Sequence, residues 1–233
     1  MNVIITGASR GIGYALAKKF SKEKDTTLYL FSRTKEKLRQ LEEMCREINP
    51  EVKVHSISAD LMELQVNLFI NLFNSVHIDI LINNAGLLIN KPFTEFEYKE
   101  LLKLTETNFF VPVKLISGLF SNMGGVKPTH VVNIGSMGGV QGSVKFPGLS
   151  IYSASKAALA TLTECLAAEY PDKNIYFNCL ALGAVQTEMF DEAFPGYKAP
   201  LTADEAAEFI TDFALNGYKY FNGKIIPVSL SIP

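Results

Sequence analysis

Cysteine is scarce in this chain. The three residues, Cys45, Cys165 and Cys179, are odd in number, widely spaced and form no CxxC pair. A disulfide framework and a Cys/His zinc site are thereby set aside, and reduced, mostly buried thiols are expected. Arginine is nearly as rare, with four residues in 233, and the formal net charge is −2. That balance argues against a nucleic-acid groove or a membrane-adsorbing surface. No apolar run approaches the ~18–20 residues of a bilayer span. No secretory leader is expected, since the strand-like run Asn2-Val3-Ile4-Ile5 begins almost at Met1. The expectation is a cytoplasmic protein without a metal, a nucleic-acid partner or a membrane. A GxxxxGK[ST] motif is also missing, which sets aside a P-loop nucleotidase.

What is present is an ordinary globular composition, 48% apolar and 20% charged, in a chain long enough to bury a sizeable core. Without linker, repeat or low-complexity tract, residues 1–233 read as a single domain. Short Val- and Ile-rich runs recur at 3–6, 27–31, 52–58, 78–82, 130–134, 175–180 and 224–228. Runs apolar on both faces suit strands of a parallel sheet covered by helices. Between them, Leu38, Leu41, Met44, Cys45 and Ile48 form a helical stripe. Thr202-x-x-Glu205 is a capping-box pattern, followed by Ala206, Phe209, Ile210, Phe213 and Ala214 on one face. The segment 97–122 reads as one long helix with Pro112 inside it. The fold expected is therefore α/β: a doubly wound, seven-stranded parallel sheet with helices on both faces, Rossmann-like. Ligands of such sheets lie beyond the carboxyl ends of the strands.

After the first strand comes Thr6-Gly7-Ala8-Ser9-Arg10-Gly11-Ile12-Gly13, opening a helix to about Lys19. Glycines let the backbone turn tightly and approach a pyrophosphate, which the helix N-terminus attracts. The second strand ends Leu30-Phe31-Ser32-Arg33, without the acid that would hold the ribose hydroxyls of NAD. Arg33 and Arg10 are expected to converge on the 2′-phosphate of NADP, so NADP(H) is favoured over NAD(H).

Tyr152-Ser153-Ala154-Ser155-Lys156 puts a phenol and an ammonium four residues apart on one helical face. The cation is expected to lower the phenol's pKa and fit Tyr152 for proton transfer. Two other pairs share this spacing, Tyr14/Lys18 and Tyr220/Lys224. The first lies in the cofactor-turn helix, and the second straddles the turn signal Asn222-Gly223. Only Tyr152 follows a strand ending in a hydroxyl residue, Ile134-Gly135-Ser136.

Occurring together and in order, these motifs resemble the compact, single-domain branch of the short-chain dehydrogenase/reductase superfamily, over nearly the whole chain. The resemblance implies cofactor contacts at Gly7, Ser9, Arg10, Gly11 and Ile12, at Asp60 and Leu61, and at Asn84, Ala85 and Gly86 of the sequence Asn83-Asn84-Ala85-Gly86. It further implies Gly183, Val185 and Thr187 at the carboxamide, and Asn108, Ser136, Tyr152 and Lys156 as the catalytic set. Tyr152 and Lys156 would also touch the cofactor, Lys156 through the nicotinamide ribose. By the same resemblance, hydride passes between nicotinamide and a carbonyl or alcohol carbon while Tyr152 handles the proton. The family's Asn108 carbonyl holds a water that links the lysine to a proton relay. Pro112 leaves that carbonyl without a helical N–H partner, so a kink or bulge is expected near Asn108.

Departures from the family pattern carry expectations too. Leu182-Gly183 replaces Pro-Gly, implying a looser turn, and Ser136 and Tyr152 stand slightly further apart than usual. Residues 186–201 form a short substrate lid. Val140, Val144, Phe146, Leu149, Met189, Phe190, Phe194 and Tyr197 are candidates for an apolar pocket. The tail lacks the closing acidic-Gly-Gly signature, which favours a homodimer, through the helices around Asn108 and Tyr152, over a homotetramer. A non-catalytic NADP(H)-binding regulator is the alternative on the same fold. A serine hydrolase is disfavoured: Ser136 lies in no GxSxG, and His55, His77 and His130 read as structural.

Overall fold

The computed structural model describes residues 1–63 and 72–230. Its elements are, in order, β1 (Asn2–Thr6), α1 (Gly11–Phe20), β2 (Thr27–Ser32), α2 (Lys35–Ile48), β3 (Lys53–Ser58) and β4 (Ile80–Asn83). Then come α3 (Tyr98–Thr105), α4 (Val111–Leu119), β5 (Thr129–Ser136), α5 (Ser150–Glu169) and β6 (Ile175–Leu182). The chain continues through β7 (Val185–Gln186), α6 (Glu188–Ala193), β8 (Leu201–Thr202), α7 (Ala203–Asn216) and β9 (Lys224–Val228). Seven strands pair in parallel in the order β3-β2-β1-β4-β5-β6-β9, while β7 and β8 form a small ribbon of their own.

Strand pleating sorts the apolar runs onto two faces. Val3 and Ile5 join Leu28, Leu30, Val132 and Ile134 on the face covered by Leu16, Phe20, Leu38, Leu41 and Ile210. Ile4 points the other way with Phe31, Leu81, Val131 and Phe177, against Val111, Leu115 and Leu119. The expected sheet is thus the observed one, with helices on both sides.

Two helical stripes are narrower than their sequences suggest. Met44 and Phe209 are exposed, whereas Leu38, Leu41 and Cys45, and Ala206, Ile210, Phe213 and Ala214, are buried. Each helix touches the sheet along one line, and residues at the stripe's margin turn outward. The capping box of α7 is present, Thr202 Oγ1 accepting from Glu205 N and Glu205 Oε2 from Thr202 N.

The long helix of 97–122 is interrupted. A π-turn, Glu106–Phe110, separates α3 from α4, and Val111 N–H donates to Glu106 O. Pro112 then stands in the first turn of α4, where a missing N–H is not needed. A bulge therefore forms at Asn108, and the proline's helix-breaking cost is largely avoided. Among the described residues no helix is long and apolar enough to cross a membrane.

Candidate functional site

Strand order reverses between β1 and β4, so the loops after these strands part and leave a crevice at their carboxyl ends. The Thr6 hydroxyl joins the two loop starts, accepting the N–H groups of Asn84 and Ala85 at 3.0 and 2.9 Å. Asn84 Nδ2 in turn donates to Thr6 O at 2.9 Å. Gly7 and Gly11 have φ of +68° and +54°, conformations that favour glycine. Gly13 is required by contact: a Cβ there would lie 2.3 Å from Gly7 O. The turn is thus drawn tightly onto α1. No side chain caps that helix at Arg10, so its first N–H groups suit an anionic ligand.

The crevice holds about 1080 Å³, at the upper edge of the ~300–1,000 Å³ usual for one ligand pocket. It is lined at one end by Gly7, Ser9, Arg10, Gly11, Ile12, Arg33, Asp60 and Leu61, and in the middle by Asn84, Ala85 and Gly86. Ser136, Tyr152, Lys156, Gly183, Val185 and Thr187 also line it. A glycine cradle, two guanidiniums and a row of backbone turns fit a dinucleotide. Arg33 is exposed, and Arg10 Nη1 is ion-paired with Glu192 Oε1 of α6 at 2.6 Å.

Tyr152 and Lys156 lie on α5 with Ser136 at the end of β5 opposite. Lys156 is 4% exposed, and its Nζ donates to Ile134 O at 2.8 Å. Burial pulls its pKa down to about 8. Burial also pushes the Tyr152 phenol above its ordinary value, opposed in part by the Ser136 hydroxyl. The expectation that Lys156 lowers the phenol is therefore corrected. The ammonium, 5.9 Å from the ring centroid, is engaged by a carbonyl, and burial sets the direction of the phenol's shift. A neutral Tyr152 is a proton donor.

Among the candidate catalytic and cofactor residues, Asn108 is the one that does not line the crevice. Fully buried, its Oδ1 accepts Leu87 N–H at 2.8 Å, and its Nδ2 donates to Leu87 O at 2.9 Å and to Ser155 Oγ at 3.0 Å. Ser155 Oγ donates on to Tyr152 O at 2.7 Å. The Asn108 side chain thus ties the π-turn to the loop after β4 and to the turn of α5 that carries Tyr152. Deeper still, Asn83 Nδ2 donates to Asn133 Oδ1 and Asn133 Nδ2 to Thr163 Oγ1, a polar chain linking β4, β5 and α5.

The turn at Leu182-Gly183 is not slack. Gly183 N–H donates to Val228 O at 2.9 Å, and a Cβ on Gly183 would lie 2.5 Å from Ser229 Oγ. Thr187 caps α6 by accepting Phe190 N–H, and Asn90 Nδ2 fastens the far end of α6 by donating to Ala193 O. Val144, Phe146, Leu149, Met189, Phe190, Phe194 and Tyr197 all line the crevice; Val140 lies on a shallower cavity beside it. Sequence reasoning missed Asn90 and the Arg10–Glu192 pair, contacts between distant residues with no local pattern.

The histidines hold structural positions. His130 is buried, with Nδ1 on Ala214 O and Nε2 facing Asn178 Nδ2, which makes Nε2 the acceptor and Nδ1 the donor. His55 stacks on Tyr29, and His77 lies 3.8 Å from Asp79. Cys45 and Cys179 are buried and Cys165 is exposed. Among the described residues no group of three or more His, Cys, Asp and Glu could hold a metal ion.

A doubly wound sheet with a dinucleotide-shaped crevice at its switch point, and a Tyr/Lys/Ser cluster within it, defines the class of nicotinamide-type oxidoreductases. The chain belongs to the short chain dehydrogenase family, which matches residues 1–198. It is 29% identical to the 3-oxoacyl-[acyl-carrier-protein] reductase FabG of Aquifex aeolicus, covering 97% of this chain and 94% of that protein. It is 31% identical to the Dehydrogenase/reductase SDR family protein 7-like of Drosophila melanogaster over 83% of this chain, but spans only 60% of that relative's length. The L-sorbose reductase of Gluconobacter frateurii, solved with NADPH and L-sorbose, superposes with a TM-score of 0.84 at 25% identity, covering 98% of this chain and 94% of that one.

Proposed function

We propose that this protein is an NADP(H)-dependent carbonyl reductase or alcohol dehydrogenase in which Tyr152 is the general acid/base. The observation that carries the reading is the single crevice shared by the glycine turn and by Ser136, Tyr152 and Lys156. When bound, the nicotinamide supplies or accepts the hydride. Ser136 Oγ and the Tyr152 phenol hydrogen-bond the substrate oxygen, and Tyr152 gives it a proton in the reductive direction. Lys156 leaves Ile134 O for the cofactor ribose and the phenol, lowering the cost of phenolate. Asn108 acts as a positioning residue for α5, and its carbonyl serves the water of the relay.

Gly7, Ser9, Gly11 and Ile12 hold the pyrophosphate. Asp60 and Leu61 flank the adenine, Asn84, Ala85 and Gly86 line the path of the ribose, and Gly183, Val185 and Thr187 hold the carboxamide. Arg33, with Arg10 once released from Glu192, selects the 2′-phosphate. Residues 1–233 act as one cytoplasmic domain with 186–201 as its lid. Two copies pair through the helices around Asn108 and Tyr152, a reading that exposed Leu102 and Phe110, next to Asn108, support.

Steady-state oxidation of NADPH over a panel of ketones and aldehydes tests the reading. Tyr152→Phe should keep cofactor affinity and lose turnover by ~10²–10⁴-fold, the worth of a positioned acid/base. Near-wild-type turnover by this variant refutes the mechanism, and cofactor binding without any turnover favours a regulator.

A further inference from the structure

We propose that Glu192 is a cofactor-specificity residue: its carboxylate competes with the 2′-phosphate of NADP(H) for Arg10 and so moderates the preference over NAD(H). This role rests on the NADP(H) reading above. The two arginines assigned to the phosphate stand in different circumstances, although both line the crevice. Arg33, just after β2, is exposed. Arg10 Nη1 is held 2.6 Å from Glu192 Oε1. That carboxylate stands outside the crevice lining, on the lid helix α6.

Local structure explains how the lid reaches the glycine turn. Thr187 starts α6 by accepting Phe190 N–H on its hydroxyl and Asp191 N–H on its carbonyl. Glu188 and Glu192, four residues apart, then share one face of the helix. Glu188 Oε2 lies 3.6 Å from where a Cβ on Gly11 would stand, and the Thr187 methyl 3.2 Å from the same point. Two carboxylates of one helix therefore border a turn whose helix N-terminus no side chain caps and which suits phosphates. Asn90 Nδ2, donating to Ala193 O at 2.9 Å, fixes the other end of α6.

A guanidinium binds an anion best as a planar fork, with parallel N–H groups given to one partner. A carboxylate and a phosphate sharing that fork stand side by side and repel. NADP(H) must therefore draw Arg10 away from Glu192, whereas NAD(H), with a hydroxyl at that position, leaves the pair intact. The two side chains are 39% and 65% exposed, so the pair is weak and the competition modest. Glu188 supplies an internal comparison. Beside Gly11 it faces the place of the pyrophosphate, which both cofactors carry, so its charge acts on both alike.

Fluorescence titration of NADPH and NADH into the wild type, Glu192→Gln, Arg10→Met and the double variant tests this role. Glu192→Gln should raise the preference for NADPH over NADH by ~2–5-fold, the range that an exposed ion pair supplies. In the Arg10→Met background the same substitution should leave the preference unmoved, because the contested group is gone. Glu188→Gln should change both affinities by the same factor. An unchanged or reduced preference in Glu192→Gln overturns the proposal, a reduced one making Glu192 the residue that positions Arg10. An equal gain without Arg10, or a Glu188→Gln gain confined to NADPH, overturns it too, since a general effect of lid charge would then explain the shift. The NADP(H) reading is judged separately by the wild type: equal affinity for the two cofactors refutes that reading, while an NADPH-specific gain in Glu192→Gln that needs Arg10 still supports the competition.

Discussion

Replacing Lys156 by methionine should make the cofactor-free protein more stable while destroying its activity. The side chain is 4% exposed, and its pKa falls from 10.5 to about 8 through burial. At ~1.4 kcal/mol per pH unit, holding the ammonium in that place costs about 3 kcal/mol at neutral pH. Methionine keeps most of the apolar stem and removes the charge. It also forfeits the bond to Ile134 O, worth about 1 kcal/mol, so the net gain is about 2 kcal/mol. For a domain of this size that corresponds to a rise of ~4–8 °C in Tm. The sign with pH follows from linkage. Between pH 8 and 10.5 the unfolded chain binds the proton that the folded chain has lost, so wild-type stability gains on the variant as pH rises through that window. Below pH 8 both states are charged and the full penalty remains. Differential scanning calorimetry of both proteins without cofactor, at pH 7 and at pH 10, reads both effects. A variant Tm equal to or below the wild type's at pH 7, or a gap that does not close at pH 10, would refute the reasoning.

Arg33→Asp should weaken NADPH by ~1.5–3 kcal/mol more than NADH, the worth of hydrogen bonds to a charged group; fluorescence titration with both cofactors checks it, and equal losses would remove Arg33 from the phosphate site. His130, held near pKa 4 by burial against an ordinary 6.5, remains neutral in the fold while the unfolded chain protonates. Stability should therefore fall by about 3 kcal/mol as pH drops from 6.5 to 4, a slope that urea titrations should find reduced in His130→Gln. Gly13→Ala places a Cβ 2.3 Å from Gly7 O, so NADPH affinity should collapse while circular dichroism still reports a folded chain. Pro112→Ala should alter stability by under ~1 kcal/mol rather than the ~3 of a proline inside a helix, because the π-turn has already moved the residue to a helix start; chemical denaturation measures this.

The sheet was legible because a parallel strand covered on both faces must be apolar at successive positions, as in Val3-Ile4-Ile5 and Val131-Val132. The catalytic cluster was legible because Tyr152 and Lys156 share one helix and Ser136 ends a strand. Less local features were hidden. Met44 and Phe209 fit a helical period but not the width of the contact, which only packing decides. Proximity in sequence suggested that Lys156 governs the Tyr152 phenol, whereas the burial that raises it belongs to the folded molecule. Glu192 could not be foreseen beside Arg10, since ion pairs between residues 182 apart leave no periodic trace.

The polar chain from Asn83 through Asn133 to Thr163 bears on how this sequence can drift. Each link uses a buried side chain as the partner of the next, so the three sites share one fate. Thr163→Val alone strands the Asn133 amide, and Asn133→Leu alone strands the Asn83 amide, each an unmet buried donor costing ~1–3 kcal/mol. An apolar replacement of all three at once removes every donor and acceptor together and is far less disruptive than the separate losses imply. The positions are therefore epistatic: the route from a polar to an apolar core passes through intermediates less fit than either end. A lineage that keeps one of these residues is under pressure to keep the other two.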